Sequence, residues 1–262
     1  MDDKVRAKKH LGQHFLNDQN IAEKIAMALK PEGRYNKCLE VGPGMGVLTK
    51  FLLNRSDLET WVCEIDRESV AYLHEHYPQL GPRIIADDFL RKDFTEFFNQ
   101  PAAVIGNFPY NISTQILFRV LDFKDSVPEV VGMFQKEVAL RIAEKPGSKT
   151  YGITSVLLQA WYDIEYLFTV PPGVFSPPPK VDSAVIRLRR NKTTDLGCDH
   201  KLFTQVVKAA FNQRRKQLRN SVRAFKIKPG EENNPIFTER PERLSVADFV
   251  RLTNMLSLPG VD

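Results

Sequence analysis

The fold is decided by Cys38-Leu39-Glu40-Val41-Gly42-Pro43-Gly44-Met45-Gly46-Val47-Leu48-Thr49, a short apolar run that leads directly into a glycine-rich turn. Glycines let a backbone turn tightly and approach a ligand closely, and the helix that follows offers free N–H groups in its first turn. The segment therefore predicts a strand, a ligand-binding turn and a helix, although a plain strand-to-helix turn has a similar sequence. Val47 stands where a dinucleotide fingerprint has its last glycine, which argues against a nicotinamide cofactor.

Further strands are predicted by short apolar runs that follow this segment. They lie at residues 60–63, 83–86, 103–106 and 130–134, with amphipathic segments between them. Alternating strands and helices are typical of a doubly wound α/β fold with a mostly parallel sheet, in which ligands bind beyond the carboxyl ends of the strands. Two later runs, 160–168 and 181–188, are joined by a proline-rich stretch without room for a helix, so we expect an antiparallel pair at the sheet edge.

A change of composition after Asn191 predicts a second domain. The chain becomes polar there and then has helical periodicity in three short segments, around residues 202–210, 218–225 and 246–252. We therefore predict a larger α/β domain at residues 1–192 and a small helical domain at residues 193–262.

The composition is that of a globular protein: 42% of the 262 residues are hydrophobic, enough for one sizeable domain and a smaller one. No run approaches the roughly 18 apolar residues of a membrane-spanning helix, and the first residues lack the apolar core of a signal peptide. We therefore expect a cytoplasmic protein with no membrane partner. The three cysteines, Cys38, Cys63 and Cys198, are far apart, which favours a reducing compartment and no metal site.

Positive charge is concentrated in one part of the chain. Between Arg187 and Lys228 there are thirteen Lys or Arg residues and two Asp residues, a local net charge of +11 in a chain whose net charge is +5. Such a block predicts a polyanionic partner such as a nucleic acid. The alternative is a solvated face that only keeps the protein soluble.

Acidic residues follow two of the predicted strands. Glu64 comes directly after residues 60–63, and Asp87 and Asp88 come directly after residues 83–86. A carboxylate at the first position can accept hydrogen bonds from both ribose hydroxyls of a nucleoside, and one at the second can bind an adenine amino group. Together with the glycine-rich turn, these acids predict one nucleoside-binding pocket at the carboxyl edge of the sheet.

The predicted strand at residues 103–106 leads into Asn107-Phe108-Pro109-Tyr110. An exocyclic amine on a nucleobase is a poor nucleophile because its lone pair is conjugated with the ring, and acceptors aimed at its N–H bonds favour the pyramidal form that can attack. The side-chain oxygen of Asn107 and the backbone carbonyl of Phe108 can serve as those acceptors, while Tyr110 offers a stacking face. The alternative is an ordinary turn followed by a helix cap.

Six motifs, in this order, resemble those of the ribosomal RNA adenine dimethyltransferase family: residues 11–16, 40–46, 64–66, 88–90, 107–114 and 174–184. Within the family the chain is most similar to the bacterial small-subunit enzymes whose loss gives kasugamycin resistance. The resemblance implies a class I, Rossmann-like methyltransferase fold that uses S-adenosyl-L-methionine, with a helical RNA-binding domain at the carboxyl end. It also implies dimethylation at N6 of two adjacent adenosines near the 3′ end of small-subunit (16S) rRNA during ribosome biogenesis.

The resemblance also implies the site residues. It assigns the methionine end of the cofactor to Gln13, His14, Leu16, Gly42 and Gly44. It assigns the ribose to Glu64 beside Ile65 and the cofactor adenine to Asp88 beside Phe89, and Asn107 borders the same cofactor pocket. For the RNA it assigns catalysis to Asn107, Phe108, Pro109 and Tyr110, stacking on the flipped base to Phe175, and phosphate contacts to Arg214, Arg215, Lys216 and Arg219. Many relatives carry Asn in place of His14 and Leu in place of Phe108. The contact that His14 makes with the cofactor and the shape of the pocket beside Phe108 therefore depart from the family pattern.

The implied partner is small-subunit rRNA in a pre-assembled small ribosomal subunit, and the protein is expected to act as a monomer without metal. Two other functions share these features. A large-subunit rRNA adenine methyltransferase of the macrolide-resistance type has the same pocket, and a non-enzymatic RNA-binding assembly factor can retain the fold. The full likeness at residues 107–114 and the basic block favour the small-subunit enzyme.

Overall fold

The structure, a computed structural model, describes Val5, Ala7, Lys8 and residues 11–258. Its strands are β1 (Phe15–Leu16), β2 (Lys37–Val41), β3 (Glu59–Cys63), β4 (Ile84–Ile85), β5 (Ala103–Asn107), β6 (Glu129–Gln135), β7 (Tyr162–Val170), β8 (Phe175–Ser176), β9 (Ser183–Arg190), β10 (Lys226–Ile227) and β11 (Leu256–Ser257). Its helices are α1 (Gln19–Ala26), α2 (Thr49–Leu53), α3 (Arg67–His76), α4 (Ser113–Leu121), α5 (Lys136–Ala143), α6 (Ile153–Gln159), α7 (His200–Asn212), α8 (Leu218–Ser221) and α9 (Val246–Asn254). None of the helices in these described ranges is long and apolar enough to cross a membrane.

The central sheet has seven strands in the order β4-β3-β2-β5-β6-β9-β7. Parallel pairing joins β4 to β3, β3 to β2, β2 to β5 and β5 to β6, whereas β9 runs antiparallel to β6. The mostly parallel sheet predicted from the sequence is therefore observed, and β9 and β7 lie side by side at one edge.

The middle of this sheet forms the core. Val104 and Ile105 of β5 and Val130 and Val131 of β6 are completely buried. Central strands of a parallel sheet are covered on both faces, which is why their sequences are continuous apolar runs. On one face, α1 contributes Ile25 to the same hydrophobic cluster as Ile105 and Val131.

The chain folds into two compact units. The first comprises the residues up to Ala139 together with Ile164–Arg190, and the second comprises Leu140–Asp163 together with the residues from Asn191 onward. The predicted domain boundary follows residue 192, beside the point where the chain enters the second unit for the last time. The segment 140–163, which the prediction places in the first domain, packs in the second unit because α6 lies against α7 and α9.

The second unit contains the three helical segments predicted near the carboxyl end, which are α7, α8 and α9. The helix starts have sequence signals: Asp199 accepts a hydrogen bond from the backbone N–H of Leu202, and Ser245 and Asp248 form a capping box. The short antiparallel pair of β10 and β11 is not predicted from the sequence.

Candidate active site

An open cavity of about 260 Å³ lies at the carboxyl ends of β2, β3, β4 and β5. The order of the strands reverses at this point, since β3 and β4 lie on one side of β2 while β5 and β6 lie on the other. Doubly wound sheets bind their ligands at such a crevice. The cavity brings together twelve of the predicted site residues, which are Gln13, His14, Gly42, Gly44, Glu64, Ile65, Asp88, Phe89, Asn107, Phe108, Pro109 and Tyr110.

Leu16 and Phe175 are not part of this lining. Both are buried in the hydrophobic core, and they are paired with each other because β1 and β8 form an antiparallel two-stranded sheet. Leu16 borders a smaller chamber of about 40 Å³, which Glu40 and Asn107 also line. The stacking role of Phe175 stays a prediction, and it requires the ring to leave this core position.

The glycine-rich turn has the backbone that its sequence predicts. Gly44 has a φ of +56°, in the left-handed region that favours glycine. A Cβ at this position would lie 2.8 Å from the ring of Phe15, so any side chain here would force that ring to move. The backbone N–H of Gly44 donates a hydrogen bond of 3.0 Å to Glu64 Oε2, which joins the turn to the end of β3.

Glu64 is held in one orientation at the cavity wall. It is only 4% exposed, and its second oxygen, Oε1, accepts a hydrogen bond of 2.9 Å from the backbone N–H of Asp66. Burial raises the pKa of Glu64, while the N–H groups of Asp66 and Gly44 act in the opposite direction. The result is a buried carboxylate with two backbone donors on one side and the cavity on the other.

Lys8 connects the amino-terminal segment to the same region. Its ammonium group forms an ion pair with Asp66 and a second one, of 3.1 Å, with Glu68. Its backbone N–H donates a hydrogen bond of 2.9 Å to Gln13 Oε1. The cavity residues 11–15 are thus tied to the end of β3, a contact that no pattern in the sequence indicates.

Asp88 occupies the loop that follows β4. Its Oδ1 accepts a hydrogen bond of 2.9 Å from the backbone N–H of Leu90, and its own N–H donates to Asp87 Oδ1 at 2.8 Å. This N–H and the ion pair with Lys92 keep the pKa of Asp87 below its usual value. Asp87 therefore supports the loop, and Asp88 lines the cavity as predicted.

Asn107, the last residue of β5, has its side-chain amide fixed. Its Nδ2 donates a hydrogen bond of 2.9 Å to the backbone oxygen of His14. A carbonyl oxygen can only accept, so the amide nitrogen must face it. The amide oxygen Oδ1 is consequently turned away from His14 and remains an acceptor.

Phe108 uses its ring for packing. The ring is 1% exposed and lies edge-on to Phe134, with centroids 5.3 Å apart. Two glycines make room for it, because a Cβ on Gly106 or Gly132 would lie 2.6 Å or 2.4 Å from the Phe108 ring. A glycine inside the apolar β6 run is the sequence signal for such a close approach.

Tyr110 is restrained by two contacts. Its hydroxyl forms a hydrogen bond with Ser183 Oγ, and its ring stacks on that of His14 with centroids 5.3 Å apart. Burial raises the pKa of Tyr110, so the phenol stays neutral at physiological pH. His14 in turn lies 2.8 Å from the carbonyl oxygen of Pro177, measured from Nδ1.

Sequence reasoning did not assign several lining residues to the site. They are Leu11, Gly12, Phe15, Val41, Cys63, Leu90, Asn111 and Ile112. For Val41 and Cys63 the available signal is their place at the carboxyl end of a predicted strand. Residues 11–15 have no periodicity that predicts where they lie.

The predicted RNA-binding residues lie in the second unit, in and just after the turn that joins α7 to α8. Arg215, Lys216 and Arg219 are exposed. Arg214 is half-buried, and its Nη2 donates a hydrogen bond of 3.1 Å to the backbone oxygen of Ser148. Arg214 therefore anchors the turn, while its neighbours present positive charge to solvent.

Close relatives of the chain are known by sequence. The model of the family described as ribosomal RNA adenine dimethylase matches residues 4–256. A ribosomal RNA small subunit methyltransferase A from Cytophaga hutchinsonii is 59% identical over 255 residues, which cover 97% of this chain and 99% of that protein. The protein of the same name from Flavobacterium johnsoniae is 55% identical over 260 residues, with 99% of both chains covered.

Two solved structures share the architecture. A dimethyladenosine transferase from Plasmodium falciparum superposes with a TM-score of 0.74 at 20% identity, covering 93% of this chain and 99% of that one. The 23S rRNA methyltransferase ErmE superposes with a TM-score of 0.60 at 24% identity, covering 92% and 99%. These likenesses confirm the predicted Rossmann-like methyltransferase fold. Because the family model and the bacterial relatives match nearly the whole chain, it belongs to the ribosomal RNA adenine dimethylase family.

Proposed function

We propose that this chain dimethylates N6 of two adjacent adenosines near the 3′ end of 16S rRNA, with S-adenosylmethionine as the methyl donor. Membership of the family supports rRNA adenine as the target, and the name of the bacterial relatives supports the small subunit. The observation that carries the chemistry is the fixed orientation of the Asn107 amide at the cavity.

The cavity residues fit S-adenosylmethionine. Glu64 offers a carboxylate already oriented by the N–H groups of Gly44 and Asp66, which suits a pair of ribose hydroxyls. Asp88, at the next strand end, suits the amino group of the cofactor adenine, with Ile65 and Phe89 beside these acids. We assign the methionine end to the glycine-rich turn together with Gln13 and Leu16. When bound, the cofactor supplies a methyl group on a positively charged sulfur.

Asn107 and Phe108 prepare the nucleophile. Asn107 Oδ1 accepts one N–H of the target amine and the backbone oxygen of Phe108 accepts the other, so the nitrogen becomes pyramidal and its lone pair is freed for the methyl group. Pro109 restricts the backbone of the preceding Phe108, and Tyr110 provides a stacking face. Once the nitrogen is alkylated, its remaining N–H proton becomes acidic and can be released to water, so no base with a shifted pKa is needed.

The second unit supplies the contacts to RNA. We assign phosphate contacts to Arg214, Arg215, Lys216 and Arg219, which lie in and after the turn between α7 and α8. The target adenosine must be unstacked before its amine enters the cavity, at a cost of a few kcal/mol that phosphate contacts can offset. We expect one copy of the chain to act on a pre-assembled small subunit, in the cytoplasm where bacterial ribosomes are made.

The test is a map of methylated nucleotides. Ribosomal subunits from cells that lack the protein are incubated with labelled cofactor and either the wild-type chain or Asn107→Ala, and the rRNA is analysed by mass spectrometry. We expect two adjacent dimethyladenosines near the 3′ end of 16S rRNA with the wild type alone. Label in 23S rRNA would favour the large-subunit alternative. Subunit binding without any methyl transfer would favour a non-enzymatic assembly factor.

A further inference from the structure

His14 connects three segments at the rim of the cavity. Its backbone oxygen accepts the hydrogen bond from Asn107, and its Nδ1 lies 2.8 Å from the backbone oxygen of Pro177. Because the Pro177 oxygen can only accept, Nδ1 carries the hydrogen and the plane of the ring is fixed. The ring then stacks on Tyr110 at 5.3 Å with an angle of 28° between the planes.

Because His14 covers one face of Tyr110, a ligand that stacks on this ring must use the other face. His14 covers the first face, and the hydrogen bond between the Tyr110 hydroxyl and Ser183 restrains the ring at its far end. Both rings line the cavity that Asn107 also borders. Asn107 and Tyr110 therefore border the same space, in which a nucleobase beside Asn107 would lie next to the Tyr110 ring.

We propose that His14 is a positioning residue for the target adenine and that its ring backs Tyr110. In this arrangement His14, Tyr110 and the unstacked adenine form a stack of three rings, which aligns the amine with Asn107 Oδ1. The proposal rests on the proposed function, since it requires an adenine as the target. It moves the ring of His14 from the methionine end of the cofactor, which the family resemblance implies, to the RNA side of the cavity.

Three substitutions separate the two contacts of the ring. His14→Ala removes both the stack and the hydrogen bond to Pro177. His14→Phe keeps a ring against Tyr110 but loses the donor, whereas His14→Asn keeps a donor but loses the ring. The backbone oxygen that holds Asn107 is present in all three variants, so each one changes only the side chain.

The measurements are the single-turnover rate of methyl transfer to small subunits at saturating cofactor and the affinity for S-adenosylmethionine by calorimetry. The free energy of an aromatic pair of this kind is large enough to change a reaction rate by up to about tenfold. We expect His14→Ala and His14→Asn to lower the single-turnover rate by about tenfold, and His14→Phe to recover most of it. The affinity for the cofactor should stay within about twofold of the wild type in all three.

His76 provides a matched control. Its ring stacks on Tyr72 with centroids 3.8 Å apart, and its Nδ1 lies 3.0 Å from the backbone oxygen of Tyr72, so the same two kinds of contact occur on α3. Neither His76 nor Tyr72 lines the cavity. His76→Ala should leave the rate and the cofactor affinity unchanged.

Other results would overturn the proposal. A loss of cofactor affinity in His14→Ala, with a normal rate at saturating cofactor, would return the ring to the methionine end. An unchanged rate and affinity in His14→Ala, or no recovery in His14→Phe, would also contradict a stacking role. Failure of the proposed function is a separate outcome, in which the wild-type chain itself methylates no adenine of the small subunit.

Discussion

The amide nitrogen of Asn107 lies 2.9 Å from the backbone oxygen of His14 and donates a hydrogen bond to it. A side chain that replaces Asn107 must therefore also offer a donor at this point. In Asn107→Asp, an ionised carboxylate would place an oxygen against that carbonyl oxygen, and two acceptors repel each other. We therefore expect Asn107→Asp to be as slow as Asn107→Ala at neutral pH, with single-turnover rates reduced on the order of a hundredfold.

The same geometry predicts a pH dependence for Asn107→Asp. A protonated Asp can donate its O–H to the His14 oxygen and keep its other oxygen as an acceptor, as Asn does. Its rate relative to the wild type should therefore rise as the pH is lowered from 8 to about 5.5, toward the range in which a carboxyl gains its proton. A flat ratio, or an Asn107→Asp variant that is fast at pH 8, would contradict the assigned orientation.

Glu64 offers a second test on a single side chain. In Glu64→Gln, an NH2 group replaces one of the two oxygens that accept from Gly44 and Asp66, so one of these acceptors and the negative charge are lost. The affinity for S-adenosylmethionine should fall by roughly 10- to 100-fold, the value of one hydrogen bond to a charged acceptor. Calorimetry measures this, with the exposed Glu75→Gln on α3 as the control. Wild-type affinity in Glu64→Gln would place the ribose elsewhere.

The sequence predicts those helices and strands whose residues form a periodic or continuously apolar pattern. The strands β2, β3, β5 and β6 are predicted within one or two residues, because buried parallel strands are unbroken apolar runs. β1 and β8 are too short for any periodicity, so their pairing is invisible in the sequence even though it builds the rim of the site. The segment 140–163 belongs to the second compact unit, which its sequence does not indicate because its packing partners come later in the chain.

The turn between α7 and α8 carries the prediction for RNA binding. Arg215 and Lys216 are exposed and form no ion pair within the described part of the chain. Arg214 donates a hydrogen bond to the backbone oxygen of Ser148, so its replacement would also disturb the turn. Replacing Arg215 and Lys216 by Ala should weaken binding to small subunits and flatten its dependence on salt. The log–log slope should fall by about 0.7 for each phosphate of a single strand that these side chains no longer neutralise.

Lys201 is a matched control for this turn. It is an exposed lysine of the same unit, at the opposite end of α7, about 18 Å from the turn along a helix of this length. Lys201→Ala should change the salt slope less than Lys216→Ala does. Equal salt slopes in all variants and in the wild type would mean that the turn is a solvated surface that does not contact RNA phosphates.

For the whole molecule, the buried carboxylates make stability depend on pH. Burial raises the pKa of Glu40 to about 8, although Thr49 Oγ1 donates a hydrogen bond of 2.6 Å to it. In the unfolded chain the same group titrates near its ordinary value of about 4.3. The folded state therefore binds more protons between these two values, and this contribution to stability is complete below pH 4 and is lost as the pH rises toward 8.

Glu40→Gln removes this dependence and still lets Thr49 donate. The free energy of unfolding of the variant, relative to the wild type, should therefore be higher at pH 8 than at pH 5 by a few kcal/mol, since each unit of pKa difference corresponds to about 1.4 kcal/mol. Urea unfolding at the two pH values measures this difference, and Glu75→Gln serves as the exposed control. The same difference at both pH values would mean that Glu40 is ionised in the folded protein.

The pairing of β1 with β8 also has a consequence for the order in which the molecule is made. Ser176 and Phe175, the partners of Phe15 and Leu16, are translated about 160 residues after them. A nascent chain that already contains the glycine-rich turn, Glu64 and Asn107 still lacks the strand that holds residues 11–16 over them. The rim of the cavity therefore cannot close until Phe175 and Ser176 have been made, about 70 residues after Asn107.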